Sequence, residues 1–227
     1  MPPPRTRGFT ALELTLALAI VGVLLALLAL SLRSFARLSD DARCLNHLRT
    51  IGQQSLLYFS ERNGDLFPTW NWFRDDTTFL ALLAIPPPYS GVKSQRDTVL
   101  TCPAFKKESP ALFPTSLNRC YSLNYYAHYY RPQDQQGANA LPDPADWRRL
   151  FPGNLRNVRE PSQMWMFMDA ARSTGIFTYY NHGHIPYMGR PHHNKAQAVF
   201  FDGHVEPVGP EQLQQPASSN FWGGPLP

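Results

Sequence analysis

Apolar and polar positions change rhythm along this chain. From Leu14 to Leu32 there are 19 consecutive residues without a charge. At about 1.5 Å per residue they reach roughly 28 Å, close to the roughly 30 Å hydrocarbon thickness of a bilayer. Beyond them Leu45, Leu48, Ile51, Leu56 and Phe59 recur at intervals of three to five, with Arg43, Asn46, Arg49, Gln53 and Arg62 between them. That spacing predicts an amphipathic helix. No proline lies between Pro4 and Pro68, and Asn63-Gly64 supplies a stop signal, since a left-handed residue ends many helices. One helix from Phe9 to Asn63 is therefore expected, about 80 Å long. Its first half suits lipid or partner helices; its second half suits a folded head.

After Gly64 the pattern shortens. A brief helix is expected over 77–84, capped by Asp75 or Asp76 and stopped by Pro86, Pro87 and Pro88, and another over 143–151. Strand-like aromatic and apolar content marks 121–130, 163–170 and 175–180, because such side chains pack well on a pleated surface. Ala196 to Phe201 and His204 to Val208 read as a hairpin joined by the two-residue turn Asp202-Gly203. The expected fold is α+β: a long N-terminal helix packed on a mixed, mainly antiparallel sheet. Phe221 and Trp222, near the end of a Pro/Gly-rich tail, are expected either to dock on a partner or to pack on the body.

Composition narrows the class. Hydrophobic residues make up 43% of the chain, yet its mean hydropathy is negative, so everything past the apolar run must be polar. The net charge of +4 is dispersed, with no cluster beyond pairs such as Lys106-Lys107 and Arg148-Arg149. Nucleic acid is not an expected partner, since its binders concentrate basic charge on one face. Arg5 and Arg7 precede the apolar run, placing the N-terminus in the cytoplasm and the body outside it. Arg33 and Arg37 oppose that orientation without reversing it. Three cysteines suit export. Cys102 and Cys120 flank a loop and are the expected disulfide; Cys44 is left over, with its pairing to either one open.

One carboxylate, Glu13, sits at the mouth of the apolar run. An unpaired charge there costs at least a few kcal/mol, which makes it a functional candidate. The sequence "RGFTALE" followed by the apolar span resembles the processing and assembly signal of type IV prepilins and type II secretion pseudopilins. The resemblance implies a basic leader carrying Arg5 and Arg7 and ending at Gly8. A prepilin peptidase would cut before Phe9, which becomes the N-methylated first residue. Glu13 then falls at the fifth position, where its implied partner is the freed α-amine of Phe9 on a neighbouring subunit. Many family members carry a proline well inside the span; here Leu30 occupies that region, so a filament transition that melts the helix is less expected. The plain alternative leaves Glu13 at the headgroup boundary beside Arg5 and Arg7.

A second resemblance covers more of the chain. "CLNHLRTIGQQSLLYFSERNGDLFP", "TCPAF", "CYSLNYY" and a C-terminal His192, nine residues, Asp202-Gly203 are similar to the large prepilin-like family of planctomycetes and verrucomicrobia. It implies a leader (1–8), a membrane-spanning assembly segment (9–32), an amphipathic helical segment (33–63), a globular head (64–206) and a tail (207–227). Read from the residues alone, the C-terminal motif is turn chemistry plus a packed or hydrogen-bonded His192. The sharper alternative is a structural metal ion among His192, Asp202 and His204, but no spacing there matches a zinc or calcium signature. No other cofactor is expected.

No nucleophile elbow, phosphate loop or zinc-helix motif accompanies the scattered Asp169, His128 and His182, so an enzyme is not expected. The expected protein is a single-pass inner-membrane subunit of a pseudopilus or pilus-like filament. Its partners would be copies of itself or related pseudopilins, the assembly machinery and membrane lipid. The rival is a membrane-tethered extracytoplasmic domain that grips carbohydrate or an envelope protein without polymerising. A third reading, a conventional cleaved signal, predicts a mature N-terminus near Ser31.

Overall fold

A computed structural model describes residues 10–67, 77–85, 98–108, 120–124, 153–169, 171–172, 175–176, 179–180, 191–216 and 219–222. The expected helix over 143–151, the caps Asp75 and Asp76, and Arg5, Arg7, Gly8 and Phe9 lie outside them. So do His128 and His182.

Helix α1 runs from Ala11 to Glu61, and the chain divides into compact units at Ser39 and Asp40. In the first unit every residue from Ala11 to Leu32 is exposed, including Leu12, Leu18, Leu24 and Leu30. By length and composition α1 is capable of crossing a membrane. Its start is set by a reciprocal cap. Thr10 N–H donates to the Glu13 carboxylate at 2.8 Å, and Glu13 N–H donates to the Thr10 hydroxyl at 3.3 Å. A threonine followed three residues later by a glutamate satisfies two of the N–H groups that a helix start leaves over.

In the second unit the helix buries Cys44, Leu48, Ile51, Ser55, Tyr58 and Phe59. The buried stripe is rotated from the expected one: Leu45 and Leu56 flank it, half-buried, while Arg43, Asn46, Arg49, Gln53 and Arg62 are exposed as expected. Small residues cause the rotation. A Cβ on Gly52 would meet Val199 Cγ2 at 2.5 Å, so the sheet comes closest where hydrophobicity is lowest. Ser55 remains satisfied there by donating to the Ile51 carbonyl at 2.7 Å. The helix ends as expected, with Asn63 at φ 57° and Gly64 N–H bonded to the Phe59 carbonyl.

Two short helices follow, α2 (Thr77–Leu82) and α3 (Pro103–Glu108). α2 stops short of residue 84 because Ala84 turns left-handed, at φ 53°. The strands are β1 (Tyr121–Asn124), β2 (Trp165–Asp169), β3 (Ala171–Arg172), β4 (Gly175–Ile176), β5 (Tyr179–Tyr180), β6 (Ala196–Phe200) and β7 (Val205–Val208), before a final turn of helix, α4 (Pro210–Leu213). The main sheet has the order β5-β1-β2-β6-β7. Its pairings are antiparallel except for the parallel pair β1 and β5. The fold is α+β, with a mixed and mainly antiparallel sheet.

β2 and β6 are buried on both faces. On the helix side Met166, Phe167 and Val199 join Leu48, Ile51, Phe59 and Phe67. On the other side Trp165, Met168 and Phe200 pack with Leu213, Phe221 and Trp222. A register shift between Trp165 and Phe167 places two β2 residues against one of β6. This bulge turns both Met166 and Phe167 towards the helix, which strict alternation forbids. Described residues of the tail expected from residue 207 pack on the body: Val208 ends β7, and Trp222 is fully buried, its carbonyl accepting from Asn124 Nδ2 at 3.2 Å.

The hairpin forms with a longer turn than expected. Phe200 N–H bonds to the His204 carbonyl and Gly203 N–H to the Phe200 carbonyl. Phe201, Asp202 and Gly203 therefore make a three-residue loop, with Gly203 at φ 88° supplying the left-handed position. A two-residue Asp-Gly turn would have put Asp202 there as well.

A buried histidine between helix and sheet

Among the described residues, a cluster of chemically active side chains lies where the second part of α1, the approach to α3 and the end of β2 meet. Asp41 and Cys44 come from α1, Cys102 directly precedes α3, Asp169 ends β2, and His192 sits just before β6. His192 is held by local geometry. It bridges to Lys195 around His193 and Asn194, whose φ values are 54° and 64°. Two successive left-handed residues make a very tight reversal, which fixes the ring's direction before β6 begins.

The ring of His192 is buried and lies between two carboxylates. Nδ1 is 2.6 Å from Asp41 Oδ1, and Nε2 is 3.2 Å from Asp169 Oδ2. Burial alone would lower its pKa, but hydrogen bonds and charge from Asp169, then from Asp41, outweigh this and raise it to about 9. At neutral pH the ring is an imidazolium donating through both nitrogens. Asp169 Oδ2 also accepts the Gln197 amide at 2.7 Å, whereas Asp169 Oδ1 is buried without a hydrogen-bond partner among the described residues. Tyr121, paired with Asp169 across β1 and β2, has its pKa raised by burial first and then by Asp169 and Cys120.

Beside the ring is the disulfide, and here the sequence expectation is corrected. Cys44 pairs with Cys102, not Cys102 with Cys120. Cys120 is a buried thiol directed at the Cys102 carbonyl at 3.8 Å. The reason is tertiary. The helix stripe brings Cys44 to the segment before α3, with 5.2 Å between the Cα atoms, inside the range a disulfide requires. Closing a loop across 58 positions stabilises the fold by about 2–4 kcal/mol. Nearby, Lys107 pairs with Asp40, and His47 Nδ1 contacts the Thr101 carbonyl at 3.0 Å. Helix and α3 are thus joined by a covalent bond, an ion pair and a hydrogen bond.

The residues of the C-terminal motif are put to separate uses. His192 belongs to this buried site. Asp202 accepts from the His204 amide at 3.0 Å and lies 2.6 Å from His204 Nδ1, while the His204 ring stacks on Phe200 at 4.3 Å. A metal centre formed by His192, Asp202 and His204 is not what the fold assembles. Among the described residues, the group at ligand spacing is Cys44, Cys102 and His192. Asp41 was missed as a site residue because, on the helix, it reads as one more solvated charge. A Thr-x-x-Glu spacing could have shown the Thr10–Glu13 cap. The site offers a charged donor and a disulfide held against the sheet, an arrangement suited to clamping the helix. No protein-family model matches the chain, nor does any curated protein or solved structure.

Proposed function

We propose that the chain is a prepilin-like or pseudopilin-like subunit. It is cut before Phe9 and assembled through its N-terminal helix into a pseudopilus or pilus-like filament at the inner membrane. One observation carries the reading: Glu13 is the single charge in a helical stretch, Ala11 to Leu32, whose residues are all exposed and apolar or uncharged. Such a surface requires lipid or other apolar helices around it. The resemblance of "RGFTALE" to the prepilin signal supplies the order of events. Cleavage would place a new α-amine on Phe9, four positions before Glu13 in the sequence. A neighbouring subunit's amine can then pair with Glu13, and a wrong stagger would leave that charge unpaired in lipid.

The Thr10–Glu13 cap gives Glu13 a second task inside its own chain, and the two tasks are separable. Glu13→Gln keeps a side-chain acceptor for the Thr10 amide but removes the charge; Glu13→Ala removes both. The expected result is that both variants insert into the membrane and neither is recovered in filaments. Normal polymer with Glu13→Gln would reduce Glu13 to a helix cap, whereas absence of polymer from the unaltered chain would favour the tethered-domain reading. N-terminal sequencing of the mature protein is the companion measurement: it should begin at Phe9, and a start at Met1 or near Ser31 removes the proposal.

A further inference from the structure

We propose that the Cys44–Cys102 disulfide masks a metal site: once reduced, Cys44, Cys102 and His192 bind one thiophilic divalent cation such as Zn²⁺. The inference is independent of filament assembly. Sγ of Cys44, Sγ of Cys102 and a ring nitrogen of His192 all lie within 4.8 Å of one another and are buried. His192 Nε2 is 3.4 Å from Cys102 Sγ and 3.2 Å from Asp169 Oδ2. Zinc bonds of about 2.3 Å to sulfur and about 2.0–2.1 Å to nitrogen or oxygen give tetrahedral edges of roughly 3.3–3.6 Å. The separation between Nε2 and the Cys102 sulfur sits close to such an edge.

The surroundings complete the chemistry. Asp41 Oδ1 lies 2.6 Å from His192 Nδ1, so it fixes the ring with Nε2 facing the sulfurs. A carboxylate on the outer nitrogen of a ligating histidine is the usual support for a bound metal.

The steps balance. Reduction adds two electrons and two protons across the Cys44–Cys102 bond and yields two thiols. A phosphine reductant supplies the electrons and leaves as its oxide, taking oxygen from water. Metal binding then releases the two thiol protons and the Nε2 proton.

The test uses the full chain in detergent, reduced anaerobically with a phosphine that is afterwards removed, and titrated with Co²⁺ and then Zn²⁺. Expected are thiolate-to-cobalt charge transfer and tetrahedral d–d bands that saturate at one equivalent and are displaced by Zn²⁺. The oxidised chain should show neither. Cys102→Ser should abolish charge transfer at one equivalent, His192→Ala should weaken binding at least tenfold, and Cys120→Ser should leave it unchanged. Bands that survive Cys102→Ser, that require Cys120, or that never form overturn the proposal. Near-ultraviolet circular dichroism covers the case of a chain loosened by reduction: metal should restore the signal, and failure to restore it also overturns the proposal.

Discussion

The two parts of helix α1 share a backbone and differ in almost everything else. From Ala11 to Leu32 leucine and its relatives cover every face and all are exposed, whereas from Asp40 to Glu61 most large apolar side chains gather on one face, buried or half-buried, with Leu57 exposed. A helix hydrophobic all round must be covered by something outside its own chain; one with a stripe is covered by its own sheet. The second part uses fewer large apolar residues and buries them more completely. Gly52 matters to its packing alongside Leu48 and Ile51, because it lets Val199 of the sheet approach. The lesson is that leucine content reports which solvent a helix needs, and residue size reports how closely a neighbour can come.

The comparison can be broken most forcefully by deleting bulk on each side. Phe59→Ala, at a fully buried position contacting Tyr58 and Phe67, should cost the folded body about 3–5 kcal/mol. Leu24→Ala, exposed in the first part, should leave the same unfolding transition within about 0.5 kcal/mol. Denaturant unfolding in detergent, followed by tryptophan fluorescence, measures both; equal losses would mean that the two parts are not distinct. Gly52→Ala comes next. Its new methyl collides with Val199, whose branched side chain has little freedom to move, so the loss should be about 1–3 kcal/mol. Helix propensity alone predicts a gain of about 1 kcal/mol, so the sign of the change decides which effect wins.

A smaller effect sharpens the comparison at the helix–sheet clamp. The pKa of His192 is raised from 6.5 to about 9 in the fold. Its contribution to stability is therefore complete below about pH 6.5 and is lost as pH rises through about 9. The groups facing it are Asp41 on α1, Asp169 on β2 and, beside it, His193, 3.6 Å from Asp41. Thermal unfolding of the oxidised chain should fall in midpoint over that window, and Asp169→Asn should flatten the fall. Membrane partition of the first part should not change over the same range. Smallest of all is Gly203→Ala at the hairpin turn. Its positive φ makes any side chain unfavourable by about 1 kcal/mol, read as a small shift in the denaturation midpoint.

Much of this was legible in the sequence. The apolar run, the polar intervals beyond it and Asn63-Gly64 are local signals, so the long helix and its end followed from spacing. The apolar and aromatic run from Ala196 to Phe201 and the Asp202-Gly203 turn signal likewise gave the hairpin, though not its turn length. That turn depends on Gly203 alone adopting a left-handed conformation, a choice made by how β6 and β7 pair. His192 stood out as a packed residue, but its partners Asp41 and Asp169 both precede it, Asp41 by 151 positions and Asp169 at the end of β2. No spacing rule connects them.

By itself, the sequence determined where a helix could persist, which half of it needs an apolar environment and where the main turns fall, because those follow from side chains within a few residues of each other. Tertiary structure alone decided the Cys44–Cys102 pairing, the rotation of the buried stripe towards Gly52, the burial of Trp222, and the seat of His192 between two carboxylates. Each of these depends on separations in space between residues remote in sequence, and those separations exist only once helix and sheet have packed.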